Sequence, residues 1–326
     1  MKGEILKLLK EADGYISGQE LCERFGVSRT AVWKVMNQLK EEGYEIEAVR
    51  NKGYILKSSA DVLSREELLS SIHTKWAGRQ VVWFNQTDST NIQARKQAES
   101  GAPHGTLVAA DQQDGGKGRR GRSWAAPSGV GIWMSMVLRP KINPISASML
   151  TLVLALAARK GVEEVTGQDA QIKWPNDLVL NKKKICGILT EMSTELMEIQ
   201  YVVPGIGINI SQESFPEEIA ATATSLYLET GIRYPRSWII AKVMGAFEAY
   251  YEKFLETEDM SGLLEEYNAH LVNLGNEVCV LDPAGEFRGI SEGISEKGGL
   301  YVRRPDGSRV EVISGEVSVR GVYGYV

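Results

Sequence analysis

Gln112-Gln-Asp-Gly-Gly-Lys-Gly-Arg-Arg-Gly-Arg-Ser-Trp124 sets four glycines among four cations and closes on an aromatic ring. Glycines let backbone approach a ligand and aim N–H groups at it, while Lys117, Arg119, Arg120 and Arg122 add charge and fork-shaped donors suited to phosphate. The same composition describes a solvated basic loop. Its neighbours favour a site: apolar segments enclose the stretch, Thr106 to Ala110 before and Gly131 to Leu138 after, and Trp124 offers a face able to cover a base. Gly116 to Ser123 comes within one residue of the phosphate-binding loop GxxxxGK[ST], with Arg122 where lysine belongs, but that motif joins a strand to a helix. Here Gly131-Ile-Trp-Met-Ser-Met-Val-Leu138 reads as a buried strand. A P-loop NTPase is therefore rejected, and a nucleotide-type anion site of another design remains.

Outward from this loop, the 326 residues, 43% hydrophobic and 24% charged, suffice for two or three domains with real cores. A net charge of -5 argues against a protein that coats nucleic acid, so any DNA contact must come from a local patch. Cys22, Cys186 and Cys279 are odd in number and widely spaced, which favours reduced thiols over a disulfide frame or zinc site. The longest apolar run, Met149 to Ala158, is too short to span a bilayer, and Met-Lys-Gly-Glu opens a helix without a signal-peptide core. The expectation is a cytoplasmic protein with no membrane contact.

In the first sixty residues, Ile5, Leu6 and Leu9 give one helix an apolar stripe, and Ser17-Gly-Gln-Glu20 is a capping box for a second, ended by Gly26. Ser28 caps a third carrying Val32, Val35, Met36 and Leu39, stopped by Gly43. Glu45 to Val49 and Tyr54 to Lys57 then flank the basic tip Arg50-Asn-Lys-Gly53, a β-hairpin that completes a winged helix-turn-helix. The outward side of the third helix offers Arg29, Thr30, Trp33, Lys34 and Asn37 to bases or phosphates, and the wing adds Arg50 and Lys52. Ten Lys/Arg stand against nine Asp/Glu over residues 1–60, so one copy should bind DNA modestly and a dimer on two half-sites is the expected arrangement; a winged helix serving only protein contact is the alternative.

After the polar link Ser58-Ser-Ala-Asp61, Arg65 to Ile72 reads as a helix and Gln80 to Phe84 as a strand leading into Thr87-Asp-Ser-Thr-Asn91. N-capping explains one or two of these five side chains; the rest could hold a neutral polar ligand such as a urea, amide or sugar. Lys173-Trp-Pro-Asn-Asp177 reads as strand and kink, followed by Leu178-Val-Leu, the turn Asn181-Lys-Lys-Lys184 and Ile185 to Leu189. A buried Lys173 near Asp177 suits a site where a cation meets phosphate and a carboxylate meets a metal; a Pro-Asn-Asp turn with a solvent-facing ion pair is the plainer alternative. Tyr201 to Ile210 is another strand, whose Gly205 and Gly207 lack the third glycine of a dinucleotide fingerprint. Helices near Ser146 to Val165 and Arg236 to Phe254 should cover a mixed, largely antiparallel sheet. From Leu274 on, strands Glu277 to Leu281, Phe287 to Ile294, Gly299 to Arg304 and Arg309 to Ile313, separated by Asp-Pro-Ala-Gly and Pro-Asp-Gly-Ser turns, predict a small β-barrel.

Asp88-Ser-Thr-Asn91, Gly118-Arg-Arg-Gly-Arg-Ser-Trp124 and Lys173-Trp-Pro-Asn-Asp177, in this order behind a winged helix, resemble the bifunctional biotin protein ligases that are also biotin operon repressors. The resemblance covers essentially the whole chain. It implies an α+β protein with a winged helix-turn-helix at 1–60, a biotin- and ATP-binding ligase domain at 61–272 and an SH3-like barrel at 273–326. It implies that ATP and biotin form biotinyl-5'-adenylate, that a lysine of the biotin carboxyl carrier protein of acetyl-CoA carboxylase or another biotin-dependent carboxylase then takes the biotin, and that an adenylate-bound homodimer represses the biotin operon on its operator DNA. By the same resemblance Ser89, Thr90, Asn91 and Gln113 contact biotin, Lys117, Gly118 and Arg119 form the adenylate-binding loop, and Lys184 meets the ligand's carboxyl or phosphate region. Arg119, Lys173 and Lys184 are then the catalytic set, Arg120, Arg122, Trp124, Asn176 and Asn209 join Arg119 at the nucleotide, and Asp177 is a partner for Mg²⁺. Lysine stands at 117 where members often have arginine, keeping the charge without the bidentate fork.

The chemistry fits these residue types, because attack of a carboxylate on an α-phosphate needs charge neutralisation more than acid or base catalysis. His73, His104 and His270 lie outside the motifs, so hydrolytic triads and histidine metal sites are not expected. A ligand-sensing repressor without catalysis and a lipoate or octanoyl ligase on the same scaffold remain as alternatives.

Overall fold

The computed structural model describes residues 1–59, 61–282, 285–313, 318–321 and 325–326, and begins with helices α1 Lys2–Glu11, α2 Gly18–Phe25 and α3 Arg29–Glu41 and the hairpin β1 Tyr44–Val49 and β2 Gly53–Ser59. Ser17 accepts the Glu20 N–H at 3.0 Å and Ser28 that of Ala31 at 3.2 Å, so both predicted caps satisfy first-turn donors. Ile5, Leu6, Leu21, Val32, Met36 and Leu39 close a core of their own under the hairpin.

Helix α4 Arg65–Ser71 leads into a seven-stranded sheet. Strand β3 Val81–Thr87 runs through helix α5 Thr90–Glu99 to β4 Thr106–Gln113, and these two strands are parallel. Strand β5 Gly131–Val137, helix α6 Leu150–Thr166 and strands β6 Gln171–Lys173, β7 Asp177–Leu180, β8 Lys183–Glu195 and β9 Glu198–Asn209 complete it, in the order β3-β4-β5-β9-β8-β7-β6 with every further pairing antiparallel. Short helices α7 Glu217–Ala220 and α8 Leu226–Thr230 precede α9 Arg236–Thr257 and α10 Leu264–Ala269.

The two-residue alternation of β9 decides what each face carries. Val202, Ile206 and Ile208 point into the main core with residues of α6 and α9, such as Leu154, Val243 and Phe247. On the opposite face Tyr201 and Val203 pack with Ala94 and Ala98 of α5. Beyond Val203 that face continues as Gly205, Gly207 and Asn209, where the sheet is left without bulk.

Strands β10 Glu277–Leu281, β11 Phe287–Ile294, β12 Leu300–Arg303, β13 Arg309–Val312 and β14 Ser318–Gly321 form an antiparallel sheet in the order β13-β12-β11-β10-β14, an arrangement that fits the small barrel read from the sequence. The last strand was not foreseen, and Pro283 and Ala284 of the predicted Asp-Pro-Ala-Gly turn, like Ala60 of the predicted polar link, lie outside the described residues. Val278, Val302, Val312 and Val319 join the main core, and Trp174 Nε1 donates to the Gly298 carbonyl at 3.0 Å.

Two buried charged hubs lie near the winged helix, and the first ties it to the rest. Glu67, 3% exposed, accepts from Lys10 at 2.5 Å, from the Tyr44 hydroxyl at 2.5 Å and from Ser237 at 2.8 Å. Arg236, also 3% exposed, pairs with Asp61 at 2.7 Å and Asp111 at 2.8 Å. Each charge is matched where water cannot reach it.

Candidate active site

The bare stretch of β9 is the floor of a cavity. A Cβ on Gly205 would fall 1.8 Å from Asn91 Oδ1, and one on Gly207 would fall 2.7 Å from the Trp124 ring. These two glycines are therefore dictated by what lies above them, since no real side chain approaches so closely. Gly187 pairs with Gly207 across β8 and β9, and the Trp124 ring rests over both. Trp133 meets Trp124 edge-on with ring centroids 6.4 Å apart, and Trp124 Nε1 is buried with no hydrogen-bond partner among the described residues.

One end of the cavity is neutral and polar, built where β3 turns into α5. Ser89 occupies the N-cap position but makes no side-chain cap bond. Instead Gln113, at the end of β4, accepts the Thr90 N–H at 2.7 Å and the Thr90 hydroxyl at 3.0 Å. Asn91 donates through Nδ2 to the Leu189 carbonyl at 3.2 Å and to Glu191 at 2.8 Å, which fixes its amide orientation. Its Oδ1 and the Thr90 hydroxyl both lie within reach of the Ser135 hydroxyl, at 2.6 and 2.8 Å. Capping thus explains little of the cluster, whose side chains are fixed from β4, β5 and β8. Outside the cavity, Asp88 accepts from Gln93, the Ser89 N–H and Thr87; burial alone would push its carboxyl up, and these donors hold it below the usual range.

The other end is cationic. Lys173, at the end of β6, is 6% exposed; burial, with Lys184, Arg320 and Arg119 nearby, lowers its ammonium to about 8 despite Asp177. Asp177 opens β7 and pairs with Lys184 Nζ at 2.6 Å, while its other carboxylate oxygen accepts from the Tyr325 hydroxyl. Burial would raise the Asp177 carboxyl, but Lys184 and Lys173 keep it below the usual range. A register shift between β7 and β8 beside Lys184, and backbone bonds that Lys184 donates to Thr222 and accepts from Thr224, set the direction of that side chain. The solvent-facing ion pair that the motif could have formed is thereby overturned: Asp177 is buried, and its pair faces a cavity.

Above the floor, the Gly/Arg loop folds on itself through Gly118 N–H to the Arg122 carbonyl at 2.7 Å and a bridge between Lys117 and Ser123. Arg119 lies inward and donates to Asn176 Oδ1 at 3.0 Å; Asn176 in turn donates to the Ile188 carbonyl at 3.1 Å. Arg120 and Arg122 are exposed at the rim. Asn209 is buried at the far end of the floor, donating to the Thr224 carbonyl and accepting from Gln212, both at 3.0 Å.

Every ligand-directed residue read from the sequence lines this one cavity: Ser89, Thr90, Asn91, Gln113, the loop residues, Trp124, Lys173, Asn176, Asp177, Lys184 and Asn209. The sequence reading missed Ser135 and Glu191, which steady Thr90 and Asn91, and Arg320 and Tyr325, which reach the cavity from the C-terminal sheet and beyond it. The first pair carried a period-two signal within flanking strands; the second carried none. Arg29, Thr30, Trp33 and Lys34 stand exposed on α3 with Asn37 half-buried beside them, and Arg50 and Lys52 are exposed at the wing, a separate surface from the cavity.

Such an arrangement can hold a small polar group at one end, an anionic chain at the other and a flat ring near Trp124. The comparisons agree with it. The Biotin/lipoate A/B protein ligase family model matches residues 83–209, an HTH domain model matches 3–55 and the Biotin protein ligase C terminal domain model matches 274–320. The chain is 37% identical over 310 residues to the Bifunctional ligase/repressor BirA of Bacillus subtilis, covering 94% of this chain and 95% of that one. It is 29% identical over 317 residues to the protein of that name from Escherichia coli K12, covering 97% and 96%. The biotin protein ligase from Aquifex aeolicus, solved in complex with biotin and ATP, superposes with a TM-score of 0.65 at 33% identity, covering 74% of this chain and 99% of that one. On this sequence similarity, domain order and cavity, the chain belongs to the bifunctional biotin ligase/repressor family.

Proposed function

We propose that this chain joins biotin to a lysine of a biotin carboxyl carrier protein in two steps and, with the adenylate bound, acts as a repressor. The observation that carries the reading is one cavity with two chemically opposite ends. Thr90, Asn91 and Gln113, held by Ser135 and Glu191, present fixed donors and acceptors for the neutral ureido group of biotin, with Ser89 beside them. The valeryl carboxylate then points toward Lys184 and Arg119.

In the first step a carboxylate oxygen attacks the α-phosphorus of ATP, the bond to the bridging oxygen breaks and pyrophosphate leaves with the electron pair. Lys184, Lys173 and Arg119 neutralise the charge that gathers on the phosphates, which is the principal demand of this transfer. Trp124 and Asn209 serve the adenine end, and Lys117, Gly118, Arg120 and Arg122 close over the adenylate. In the second step the acceptor lysine's amine attacks the acyl carbon and AMP leaves, so enclosure of the adenylate protects it from water until the carrier docks.

Mg²⁺ would serve here as a phosphate-borne ion. Asp177 supplies one buried carboxylate, and no group of three or more His, Cys, Asp or Glu among the described residues could hold a metal ion. One carboxylate plus substrate phosphates is a set Mg²⁺ accepts. When bound it adds positive charge at the triphosphate.

We assign operator contacts to Arg29, Thr30, Trp33, Lys34, Asn37, Arg50 and Lys52, and a homodimer to the DNA-bound state. The separate core of the winged helix supports a boundary near residue 60, and the start of β10 supports one near 272. No helix among the described residues is long and apolar enough to cross a membrane. A carrier protein and an operator as partners support a cytoplasmic location.

The test is incubation with ATP and Mg²⁺ and either biotin or lipoate, following pyrophosphate and adenylate. Biotin should react well; comparable turnover with lipoate overturns the substrate. Gel shifts and sedimentation with and without biotin and ATP test the repressor. An operator affinity and a dimer fraction that do not respond leave the ligase standing and remove the regulation.

A further inference from the structure

Beyond β14 the chain returns to the cationic end of the cavity. Tyr325 lays its ring over the Lys173 ammonium, 3.9 Å from ring centroid to Nζ, and its hydroxyl donates to Asp177. Lys184 occupies the other carboxylate oxygen at 2.6 Å. One neutral aromatic side chain thus engages both charged members of the Lys173-Trp-Pro-Asn-Asp177 motif. A ring this close to an ammonium covers the face from which a phosphate oxygen would approach, and a hydroxyl on Asp177 stands where an approaching ligand or ion would sit.

Resting on the ligase reading above, we propose that Tyr325 is a self-supplied plug of the phosphate end, seated in the ligand-free protein and exchanged for the triphosphate of the nucleotide. The charges make the exchange downhill. Buried Lys173, half-buried Lys184 and exposed Arg320 converge on this end, and among the described residues that line it Asp177 is the one carboxylate, so cations are in excess there. A ring quadrupole satisfies one of them weakly, whereas a polyanion satisfies several through charge-assisted bonds. The plug therefore shields Lys173 and Asp177 in the absence of nucleotide without competing strongly in its presence.

The test is calorimetric titration of the full chain with ATP alone, comparing wild type with Tyr325→Ala and Tyr325→Phe. Loss of the ring should tighten ATP binding about fivefold, the size of one cation–π contact. Tyr325→Phe, which frees Asp177 but keeps the ring, should tighten it less. Hydrogen exchange of the peptide carrying Tyr325 should speed up when ATP is added to wild type. Weaker ATP binding by Tyr325→Ala, or slower exchange with ATP, overturns the plug and makes the residue a clasp over bound nucleotide. If neither wild type nor variant binds ATP, the nucleotide reading fails and the plug with it; wild-type binding with no difference between the chains removes the plug alone.

Discussion

Gln113 Oε1 takes both the backbone N–H of Thr90 at 2.7 Å and its hydroxyl at 3.0 Å, so a residue at the end of β4 caps the helix that begins after β3. The same side chain that completes α5 also faces the polar end of the cavity. Gln113→Ala should therefore cost about 1 kcal/mol of stability through the lost cap and raise the biotin KM. Gln113→Glu keeps the acceptor, so it should hold the melting temperature while still losing biotin affinity. Thermal unfolding and biotin-dependent pyrophosphate release, measured side by side, separate the two roles; a glutamate variant with wild-type biotin affinity would refute the site assignment.

Gly205→Ala should disturb the polar end through Asn91. Its new methyl would meet Asn91 Oδ1, which is also held by Ser135 at 2.6 Å. Asn91 must move or β9 must shift, at a cost of about 1 to 3 kcal/mol. The expected result is a folded protein with weakened biotin binding and near-normal ATP binding. Equal losses for both ligands in calorimetry would show that the whole floor, not one end, had been displaced.

Lys173 gives the site a pH signature. Its folded-state value, about 8, lies below its ordinary 10.5, so between those values the unfolded chain binds more protons and stability should rise with pH. The cost of burying the ammonium is fully present below pH 8. Affinity for ATP should move the opposite way, weakening above about pH 8 as the ammonium is lost. Lys173→Met should bind ATP poorly throughout and lack both responses. Titrations from pH 7 to 10 decide this, and an unaltered pH profile in the methionine variant would assign the inflection elsewhere.

Arg119→Gly removes the donor to Asn176 and one inward cation of the Gly/Arg loop. A charge-assisted bond of this kind contributes about 1.5 to 3 kcal/mol, enough to speed adenylate loss by about tenfold to a hundredfold. Adenylate formation should persist and bystander proteins should become biotinylated. Adenylate release at the wild-type rate in a filter assay would remove Arg119 from the loop's hold.

Deleting residues 1–60 should abolish operator binding and leave measurable ligation, but the remainder should be less stable than two independent domains would allow. The deletion takes Lys10 and Tyr44 from Glu67 and leaves that buried carboxylate with Ser237 and its neighbours in α4. Unpairing a buried charge in this way costs about 3 to 5 kcal/mol before relaxation. Combining the deletion with Glu67→Leu should recover most of the loss. If the deletion alone unfolds at the wild-type temperature, the hub does not couple the domains.

Short-range chemistry was legible in the sequence. Ser17 and Ser28 announced their helices, the four glycines and four cations of 112–124 announced a basic loop, which the structure sets along the cavity, and β-branched and aromatic residues at 131–138 excluded a P-loop, because caps, turns and strand propensity act over a few residues. Tertiary structure alone decided which side chains converge. The glycine floor arises because β9 alternates faces, with Ile206 and Ile208 in the core and Gly205 and Gly207 beneath Asn91 and Trp124. The partners Ser135, Glu191 and Tyr325 lie 44, 100 and 148 positions from the residues they hold, separations over which local pattern carries no information. Lys173 gains its depressed value only because folding withdraws it from water beside other cations, a property of the assembled site rather than of any stretch of chain.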